Sequence, residues 1–467
     1  MMSLELSRPA GRRLVPFVLA LVIMGVNLVV SPSVSAQDMR TVTEPVIPPV
    51  CQTLAANLAV KRGKLVKMDE GKLDTQRLQA ALDQCVPGQA VELRGSGTNA
   101  AFLSGPLTIS RGVTLLVDRG VTLFASRNPR DFDARPGACG TVDHKGNGCR
   151  PLLSIKAPNA AVMGDGVIDG RGGEDLLGHH VTWWDLAAQA RSGGKQNCFR
   201  LIVASHADNF ILYRITLRNS PNFHVVVDRT DGFTAWGVKI DTPATARNTD
   251  GIDPSGSKNV TITHSWIRDG DDNVAIKAGG SGPSTDISIA HDHFYYGHGM
   301  SIGSETFSGD RRILVQDLSL DGTTSGIRIK SDSSRGGLVD GVTYRDVCMR
   351  NVKTPIDIDP FYEHQRGHGD KIPVFRDIFL EGVHAMTPGK VIMDGFDSTH
   401  GSAIWLNGVE IDGVLPHDVE TQFGAFTVGP GVVNFTMQGA GVTLSKGNSG
   451  VAAVPDCKNR FPGFPRG

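Results

Sequence analysis

The sequence is poor in aromatic residues and carries no excess of either charge. Phenylalanine, tryptophan and tyrosine make up 6% of the 467 residues, whereas glycine occurs 56 times. Lysine and arginine total 47 against 48 acidic residues, so the formal net charge is −1. A charge this close to zero gives no sign of a nucleic-acid partner or of a bulk attraction to any polyanion. Recognition of a charged ligand must therefore be local.

Metal-binding patterns and linkers are also missing. No Cys-x-x-Cys pair occurs and the histidines are scattered, so we expect no metal site and no cofactor. No block of charge and no Pro/Ser-rich stretch divides the chain. Apolar strand-like segments run throughout, so the glycines indicate many tight turns rather than disorder.

Residues 1–36 have the pattern of a secretory signal. Three arginines precede an apolar run at residues 14–30, and a small-residue cleavage site ends at Ala36. A membrane anchor is the alternative, but the run is short and contains a proline and an asparagine. Removing three arginines and one glutamate takes away a net +2 and leaves −3. We expect a secreted, extracellular protein with one mature domain at residues 37–467 and no membrane contact.

Short alternating segments recur along the chain at a nearly constant spacing. Successive segments open at Asn209, Gly232, Asn259, Asp286 and Arg312, about 23–27 residues apart, which is the range typical of solenoids. Parallel strands need long crossovers, and a full coil of short strands supplies one. The repeat predicts an all-β fold, a single right-handed parallel β-helix with coils about 4.8 Å apart.

Two helices and two disulfides are expected around the coils. Residues 74–85 should form a helix that is capped by Asp74 and that covers the N-terminal end of the solenoid. Residues 183–190 should form a second helix, whose Trp183 and Trp184 either stack on a ligand or serve the fold. Among the seven cysteines, Cys139–Cys149 and Cys51–Cys85 are plausible pairs, and the odd count leaves at least one unpaired.

Polar clusters recur at the same period as the strands. In chain order they hold Asp250, then Asp271 and Asp272, then His298, then Arg328 and Lys330. The coil geometry places Asp250 and Asp271 at the same phase of successive coils, with the other clusters one and two coils further on. Neighbouring strand residues face opposite sides, so Asp271 and Asp272 can share a site only at a bend, which Gly270 supplies. Arg328 and Lys330 alternate around Ile329 and point the same way.

These clusters resemble the motifs of the polygalacturonases, glycoside hydrolase family 28. NTD, GDD, GHG and RIK stand in the order of that family, and TARNTDGIDP, GDDNVAIKA and GHGMSIGSE are similar to bacterial endo-polygalacturonases. The resemblance is strongest over residues 164–359. It implies a secreted, monomeric endo-acting enzyme that needs no cofactor. Its substrate would be polygalacturonate, the de-esterified form of pectin, whose α-1,4-galacturonosyl linkages it would hydrolyse with inversion.

The resemblance also implies a role for each residue. Asp271 would be the general acid, Asp250 and Asp272 would activate water, and His298 would hydrogen-bond the acids. Clustered acids raise one another's pKa, so one can keep its proton. Arg328 and Lys330 suit the carboxylates of the substrate. The remaining binding candidates are Tyr362, Asn248, Arg247 and Lys277.

Two other functions are compatible with a β-helix. A pectate lyase would use calcium and an arginine base, and the four motifs argue against it. A non-enzymatic carbohydrate-binding rod is also possible for the fold, since fold does not determine function. The phased acids, histidine and cations favour an enzyme over such a rod.

Overall fold

The computed structural model describes residues 37–362 and 369–465, so the secretory signal expected at residues 1–36 lies outside the described residues. Among the described residues, no helix is long and apolar enough to cross a membrane. In chain order the strands and α-helices are β1 (Val50–Ala55), β2 (Leu58–Lys61), β3 (Lys64–Leu65), α1 (Thr75–Gln84), β4 (Ala90–Arg94), β5 (Asn99–Ser104), β6 (Leu107–Ile109), β7 (Thr114–Val117), β8 (Thr122–Ala125), β9 (Val142–Asp143), β10 (Leu153–Ile155), β11 (Ala161–Met163), β12 (Val167–Asp169), α2 (Trp183–Gln189), β13 (Lys195–Gln196), β14 (Ile202–Ser205), β15 (Ile211–Tyr213), β16 (Thr216–Arg218), β17 (Val225–Asp228), β18 (Asp231–Trp236), β19 (Lys239–Asp241), β20 (Ile252–Ser255), β21 (Lys258–Thr263), β22 (Trp266–Arg268), β23 (Val274–Ile276), β24 (Ser284–Tyr295), β25 (Met300–Ile302), β26 (Asp310–Asp321), β27 (Ser325–Lys330), β28 (Leu338–Arg350), β29 (Thr354–Asp359), β30 (Val374–Ala385), β31 (Val391–Asp394), β32 (Ser402–Ile411), β33 (Val419–Gln422), β34 (Gly424–Val428) and β35 (Thr443–Lys446). Short 3-10 helices lie at Lys67–Asp69, Pro129–Phe132, Ala190–Ser192 and Pro416–Asp418.

Two parallel sheets run along one axis. One sheet has eleven strands, in the order β6, β10, β14, β17, β20, β23, β25, β27, β29, β31 and β33. The other contains two parallel ladders, which join in the long strands β24, β26, β28, β30 and β32. Each regular coil gives one strand to the first sheet and two strand segments to the second. This is the right-handed parallel β-helix that the repeat predicts.

The predicted repeat openings form one column in the structure. Asn209, Gly232, Asn259, Asp286 and Arg312 all have left-handed backbone, with φ between 54° and 90°. The strand register stacks Gly232, Asn259, Asp286 and Arg312 directly on one another. Each coil turns its corner here, and Asn, Asp and Gly tolerate the left-handed region best. The repeat in the sequence therefore reflects this corner, which recurs once in every coil.

Stacked aliphatic residues fill the interior. Ile252, Val274, Met300, Ile327 and Ile356 pair in register in the eleven-strand sheet, and all are fully buried. Burying such a side chain contributes about 1.5–3 kcal/mol. The inward rows hold the coils in register, so polar residues of the same strands are carried to the outer face at fixed positions.

The two predicted helices form, although details differ. Leu78, Ala81 and Leu82 of α1 are buried at the end of the core. Asp74 occupies the N-cap position of α1 as predicted, but its carboxylate binds Arg77 at 2.6 Å and makes no capping hydrogen bond to the helix. In α2, Trp183 is buried against Phe132 and Phe199 and therefore serves the fold.

Three disulfides are present in the described part of the chain. The two predicted pairs, Cys51–Cys85 and Cys139–Cys149, are present, and a third joins Cys348 to Cys457. Cys198 is free and buried. The third disulfide anchors a C-terminal segment that runs back along the coils, where Tyr295 donates a hydrogen bond to the carbonyl oxygen of Pro462 at 2.9 Å.

The N-terminal segment also crosses several coils. The backbone N–H of Asp38 donates to Ser288 at 2.8 Å, and Thr261 donates to the Asp38 carboxylate at 2.7 Å. Further along, Tyr213 donates to Glu44 at 2.7 Å. Both ends of the described chain are therefore tied to coils far from them in sequence.

Candidate active site

The predicted acids and His298 lie where successive strands of the eleven-strand sheet begin. Asp250 precedes β20 by two residues, Asp272 precedes β23 by two and His298 precedes β25 by two. Ile252 pairs with Val274, so Asp250 is in register with Asp272. The period of the sequence had predicted Asp271 as its neighbour instead. Asp271 lies one residue ahead, in the turn.

A tight turn between β22 and β23 presents Asp271 and Asp272 on the same side. The buried carboxylate of Asp269 accepts a hydrogen bond from the N–H of Asp271 at 3.0 Å. Gly270 packs against the preceding coil, where a Cβ atom would overlap the carbonyl oxygen of Ala246. The bend is therefore present as predicted. Gly270 is not among the glycines with positive φ, so its backbone conformation does not require glycine. The close approach of two backbones does require it, because a side chain would have no room there.

His298 lies between the two acids of the turn. Its Nδ1 is 3.2 Å from Asp271 Oδ1 and 3.8 Å from Asp272 Oδ1. Asn248 donates its backbone N–H to Asp271 Oδ2 at 3.2 Å. The Asp271 side chain is 17% exposed, against 3% for Asp272 and 4% for Asp250. Asp271 is therefore the acid that a ligand on the sheet reaches first.

Asp272 is held by two cations. Lys330 Nζ is 2.6 Å from Oδ2 and Arg328 Nη1 is 3.2 Å from Oδ1, while Ser301 donates to Oδ1 at 2.8 Å. Burial alone would raise the pKa of Asp272, but the charges of Lys330 and Arg328 outweigh it and hold the pKa well below the ordinary value. Asp272 is consequently ionised.

Arg328 and Lys330 point the same way, with Ile329 fully buried between them, as predicted. They are less exposed than expected: their side chains are 15% and 6% accessible. Arg328 also lies 3.1 Å from Asp357. Their partners in the structure are thus carboxylates of the protein itself, a contact that period and alternation did not predict.

Asp250 belongs to a second charged group with Asp253 and Lys277. Lys277 Nζ is 2.6 Å from Asp253 Oδ2 and 3.3 Å from Asp250 Oδ2. Burial, followed by the charges of Asp253 and Asp271, raises the pKa of Asp250 well above its ordinary value. Burial also raises the pKa of Asp253 to about 6, although Lys277 opposes it. Lys277, predicted as a substrate contact, is here the cation of this group.

The pKa of Asp271 moves the other way. Burial raises it, but the hydrogen bond with His298 and the charge of Lys330 are stronger together, and the net pKa lies below the ordinary value. Without substrate, burial and like charges therefore favour the protonated form of Asp250 over that of Asp271. The predicted general acid, Asp271, is therefore not the carboxyl whose protonated form the free site favours.

Two weaker binding candidates differ in position. Arg247 donates to the carbonyl oxygen of Ala187 in α2 at 3.1 Å, so it anchors that helix. Tyr362 lies at the site, with its ring centroid 5.0 Å from Lys330 Nζ and 5.5 Å from Arg328 Cζ. Its ring covers the same two cations that hold Asp272.

Sequence reasoning missed His224 and Asp253. His224 is fully buried, and its Nδ1 lies 3.1 Å from the carbonyl oxygens of Thr249 and Asp250. Burial lowers its pKa to about 4, so it is neutral and supports the backbone below Asp250. Asp253 stands in the motif NTDGIDP, on the outer face of β20. Its position three residues after Asp250 was the signal available in the sequence.

Three groups of the cluster could offer ligand atoms to a cation. Suitable atoms of Asp271, Asp272 and His298 lie within 4.8 Å of one another. The charges of Lys330 and Arg328 already satisfy Asp272 and oppose a further cation beside it. The donor set therefore fits proton chemistry better than metal binding.

Comparisons with known proteins show the family to which the chain belongs. The family model described as glycosyl hydrolases family 28 matches residues 99–424. An endo-polygalacturonase of Pectobacterium carotovorum subsp. carotovorum is 44% identical over 82% of this chain and 91% of its own length. A polygalacturonase of Ralstonia solanacearum is 39% identical over 90% of this chain and 92% of its own length. The solved polygalacturonase from Erwinia carotovora ssp. carotovora is 42% identical, with a TM-score of 0.77 over 87% of this chain and 100% of that chain. The chain is accordingly a glycoside hydrolase and belongs to glycosyl hydrolase family 28.

Proposed function

We propose that the enzyme is a secreted endo-polygalacturonase that hydrolyses the α-1,4-galacturonosyl linkages of polygalacturonate with inversion. The observation that carries this proposal is the single cluster of Asp250, Asp271, Asp272 and His298 beside Arg328 and Lys330. Acids and a histidine supply proton transfer, and the cations suit a substrate that carries a carboxylate on every sugar.

Asp271 donates the proton to the leaving oxygen in this proposal. It is the most exposed acid, and its neighbour His298 is 37% exposed and 3.2 Å away. In the free enzyme the pKa of Asp271 is lowered. A bound galacturonate brings a negative charge and displaces water, and both raise the pKa of a nearby carboxyl. The bound substrate thereby favours the protonated form of Asp271, which then donates its proton to the glycosidic oxygen.

Asp250 and Asp272 activate the attacking water. A carboxylate accepts one proton as the water oxygen bonds to the anomeric carbon, while the glycosidic bond breaks and its oxygen takes the proton of Asp271. Asp272 is ionised by its two cations. Asp250 acts only when it has lost its proton, and Lys277 stabilises that charged form.

Arg328 and Lys330 link substrate recognition to this chemistry. Each can turn from Asp272 toward a sugar carboxylate beside it, so the substrate competes for the cations that lower the pKa of the acids. A methyl ester carries no charge and cannot compete in this way. We therefore propose a preference for de-esterified polymer.

Export and the monomeric state are part of the proposal. Three disulfides are expected for a protein that matures in an oxidising compartment. Residues 1–36 have the composition of a signal, and a solenoid of this length has its own continuous core. Sedimentation of the exported chain measures its oligomeric state.

The test is a time course of products from polygalacturonate. We expect oligomers of mixed length early, a rise in reducing ends, no absorbance from unsaturated products, and initial release of the β-anomer as read by NMR. The variant Asp271→Asn should lose about 10³-fold or more in kcat with an unchanged melting temperature, because the change removes a proton donor and little volume. Unsaturated products would indicate a lyase. Near-normal turnover by a folded Asp271→Asn enzyme would reject Asp271 as the acid.

A further inference from the structure

Arg200 occupies the row of the catalytic acids but lies two coils away from them. Ile202 pairs with Val225, and Val225 pairs with Ile252. The residues two positions earlier, Arg200, Phe223 and Asp250, therefore occupy equivalent places in three successive coils. With about 4.8 Å between strands, the Cα atoms of Arg200 and Asp250 lie about 10 Å apart along the axis.

Arg200 is the exposed cation of this row. Among the described residues, no carboxylate oxygen lies within 4.0 Å of its guanidinium nitrogens. Lys277, Arg328 and Lys330, in contrast, all have carboxylate partners. Partial removal from water lowers the pKa of Arg200, and the charges of Asp253, Asp250 and Asp228 oppose this shift from beyond ion-pair distance. Its five N–H donors remain available to a ligand.

The ring of Phe223 supports the guanidinium without using those donors. Arg200 Cζ lies 5.3 Å from the ring centroid, and Lys277 Nζ lies 4.4 Å from the same centroid. Stacking of this kind restricts the arginine side chain and leaves its planar fork free for a carboxylate. Phe223 therefore links an unpaired cation to the charged group that contains Asp250.

We propose that Arg200 and Phe223 form a distal subsite that binds the carboxylate of a uronate residue, on the opposite side of the catalytic acids from Arg328 and Lys330. This proposal rests on the polygalacturonase function proposed above. Arg200 lies just before β14 and Arg328 lies in β27, five strands further along the sheet. Five spacings between strands correspond to about 24 Å along the axis. A substrate that reaches both cations therefore occupies several sugar positions and must be a polymer or a long oligomer.

The test compares substrates of different length. For wild type, Arg200→Ala and Arg200→Lys, kcat/KM is measured on tri-galacturonate and hexa-galacturonate at low salt. The matched control is Arg119→Ala, because Arg119 is 81% exposed and lies between β7 and β8, away from the eleven-strand sheet. We expect Arg200→Ala to lose about tenfold on the hexamer through KM and little on the trimer. Arg200→Lys should recover part of the loss, and the control should match wild type.

Each outcome has a distinct meaning. An equal loss on both substrates, or no loss on the hexamer, overturns the subsite, as does an Arg119→Ala enzyme that behaves like Arg200→Ala. Failure of the wild type to cut either oligomer would instead overturn the proposed function. As a second readout, the fraction of hexamer cut at each bond should shift in Arg200→Ala, and high salt should abolish the difference between the variant and wild type. An unchanged cleavage pattern would also overturn the subsite.

Discussion

At the scale of single residues, the charge of Asp250 depends on Lys277. Lys277 lies 3.3 Å from Asp250 and 2.6 Å from Asp253, in a place where burial favours the protonated form of both acids. Removing the lysine while keeping the aliphatic stem would leave two buried carboxyls without their cation. Asp250 would then hold its proton to higher pH, and a protonated acid cannot accept a proton from water.

We therefore expect Lys277→Met to move the acidic limb of the pH profile of kcat/KM to higher pH. At mildly acidic pH the loss should be about 10²-fold, at the lower end of what a general base contributes. Lys277→Arg keeps the charge and should restore much of the profile. A uniform loss at every pH, with the limb in place, would mean that Lys277 only supports the fold.

Lys330 has a similar relation to Asp272. Its Nζ is 2.6 Å from Asp272 and its side chain is 6% exposed, so it stabilises an ionised acid as well as facing the cleft. The sequence alone suggested a pure substrate contact. Lys330→Ala should therefore lower kcat on de-esterified polymer by about tenfold or more, together with any rise in KM.

The control for this variant is Lys353→Ala, because Lys353 is an exposed lysine just before β29 in the same sheet. It should behave as wild type in both kinetic constants. A Lys330→Ala enzyme with normal kcat and a raised KM would show that its contact with Asp272 is dispensable.

At the scale of elements, the turn between β22 and β23 positions Asp271. Gly270 touches the backbone of Ala246 so closely that any side chain forces the turn to move. Displacement of a catalytic group by about 1 Å can cost about 10²-fold in rate. We expect Gly270→Ala to lose at least that much kcat/KM while most of the β-helix remains intact by circular dichroism.

Gly280 offers a matched control for that turn. It follows β23 in the same coil, has no positive φ, and a Cβ atom there would meet nothing within 4 Å. Gly280→Ala should keep full activity. If Gly270→Ala were also fully active, the tight approach to Ala246 would not be what positions Asp271.

The strands and their faces were predictable from sequence, whereas the charge partners were not. Alternation around Ile329 was enough to place Arg328 and Lys330 on one face, and the period of the corner residues predicted the coils. The pairing of Asp250 with Asp272 depends on the length of a turn, which period does not report. The contacts of Lys277 and Lys330 with acids in other coils require the register itself.

The same limit applies to covalent links. Cys139–Cys149 encloses a short loop and was predictable. Cys348 and Cys457 are 109 residues apart, and their pairing follows from the return path of the C-terminal segment. Nothing in the local pattern of either cysteine indicates that path.

At the scale of the whole molecule, buried acids set the pH dependence of stability. Burial raises the pKa of Asp169, Asp253 and Asp394 to about 6. The folded protein therefore binds these protons more tightly than the unfolded chain, whose carboxyls titrate near pH 4. The stability that they contribute is complete below about pH 4 and is lost as the pH rises through 6.

The buried His224 acts in the opposite direction, because its pKa is lowered to about 4 and the unfolded chain binds that proton more tightly. Three acids act against this one histidine, so we expect a higher melting temperature at pH 5 than at pH 7, measured by calorimetry at constant ionic strength. Asp169→Asn should reduce this difference, because it removes one of the titrating groups. Asp370→Asn, at an exposed residue, is the control and should not change it. A melting temperature that rises from pH 5 to pH 7 would contradict the expectation.

The N-terminal segment that crosses several coils has a consequence for how the protein folds during its synthesis. Asp38 is bound by Ser288, 250 residues later in the chain. A ribosome delivers the N-terminus first, so this segment must stay undocked until more than half of the polypeptide has emerged. Coils can assemble on one another as they appear, but the segment closes over them only late. Loss of the segment should therefore leave early coil formation intact and weaken the cooperativity with which the finished coils unfold together.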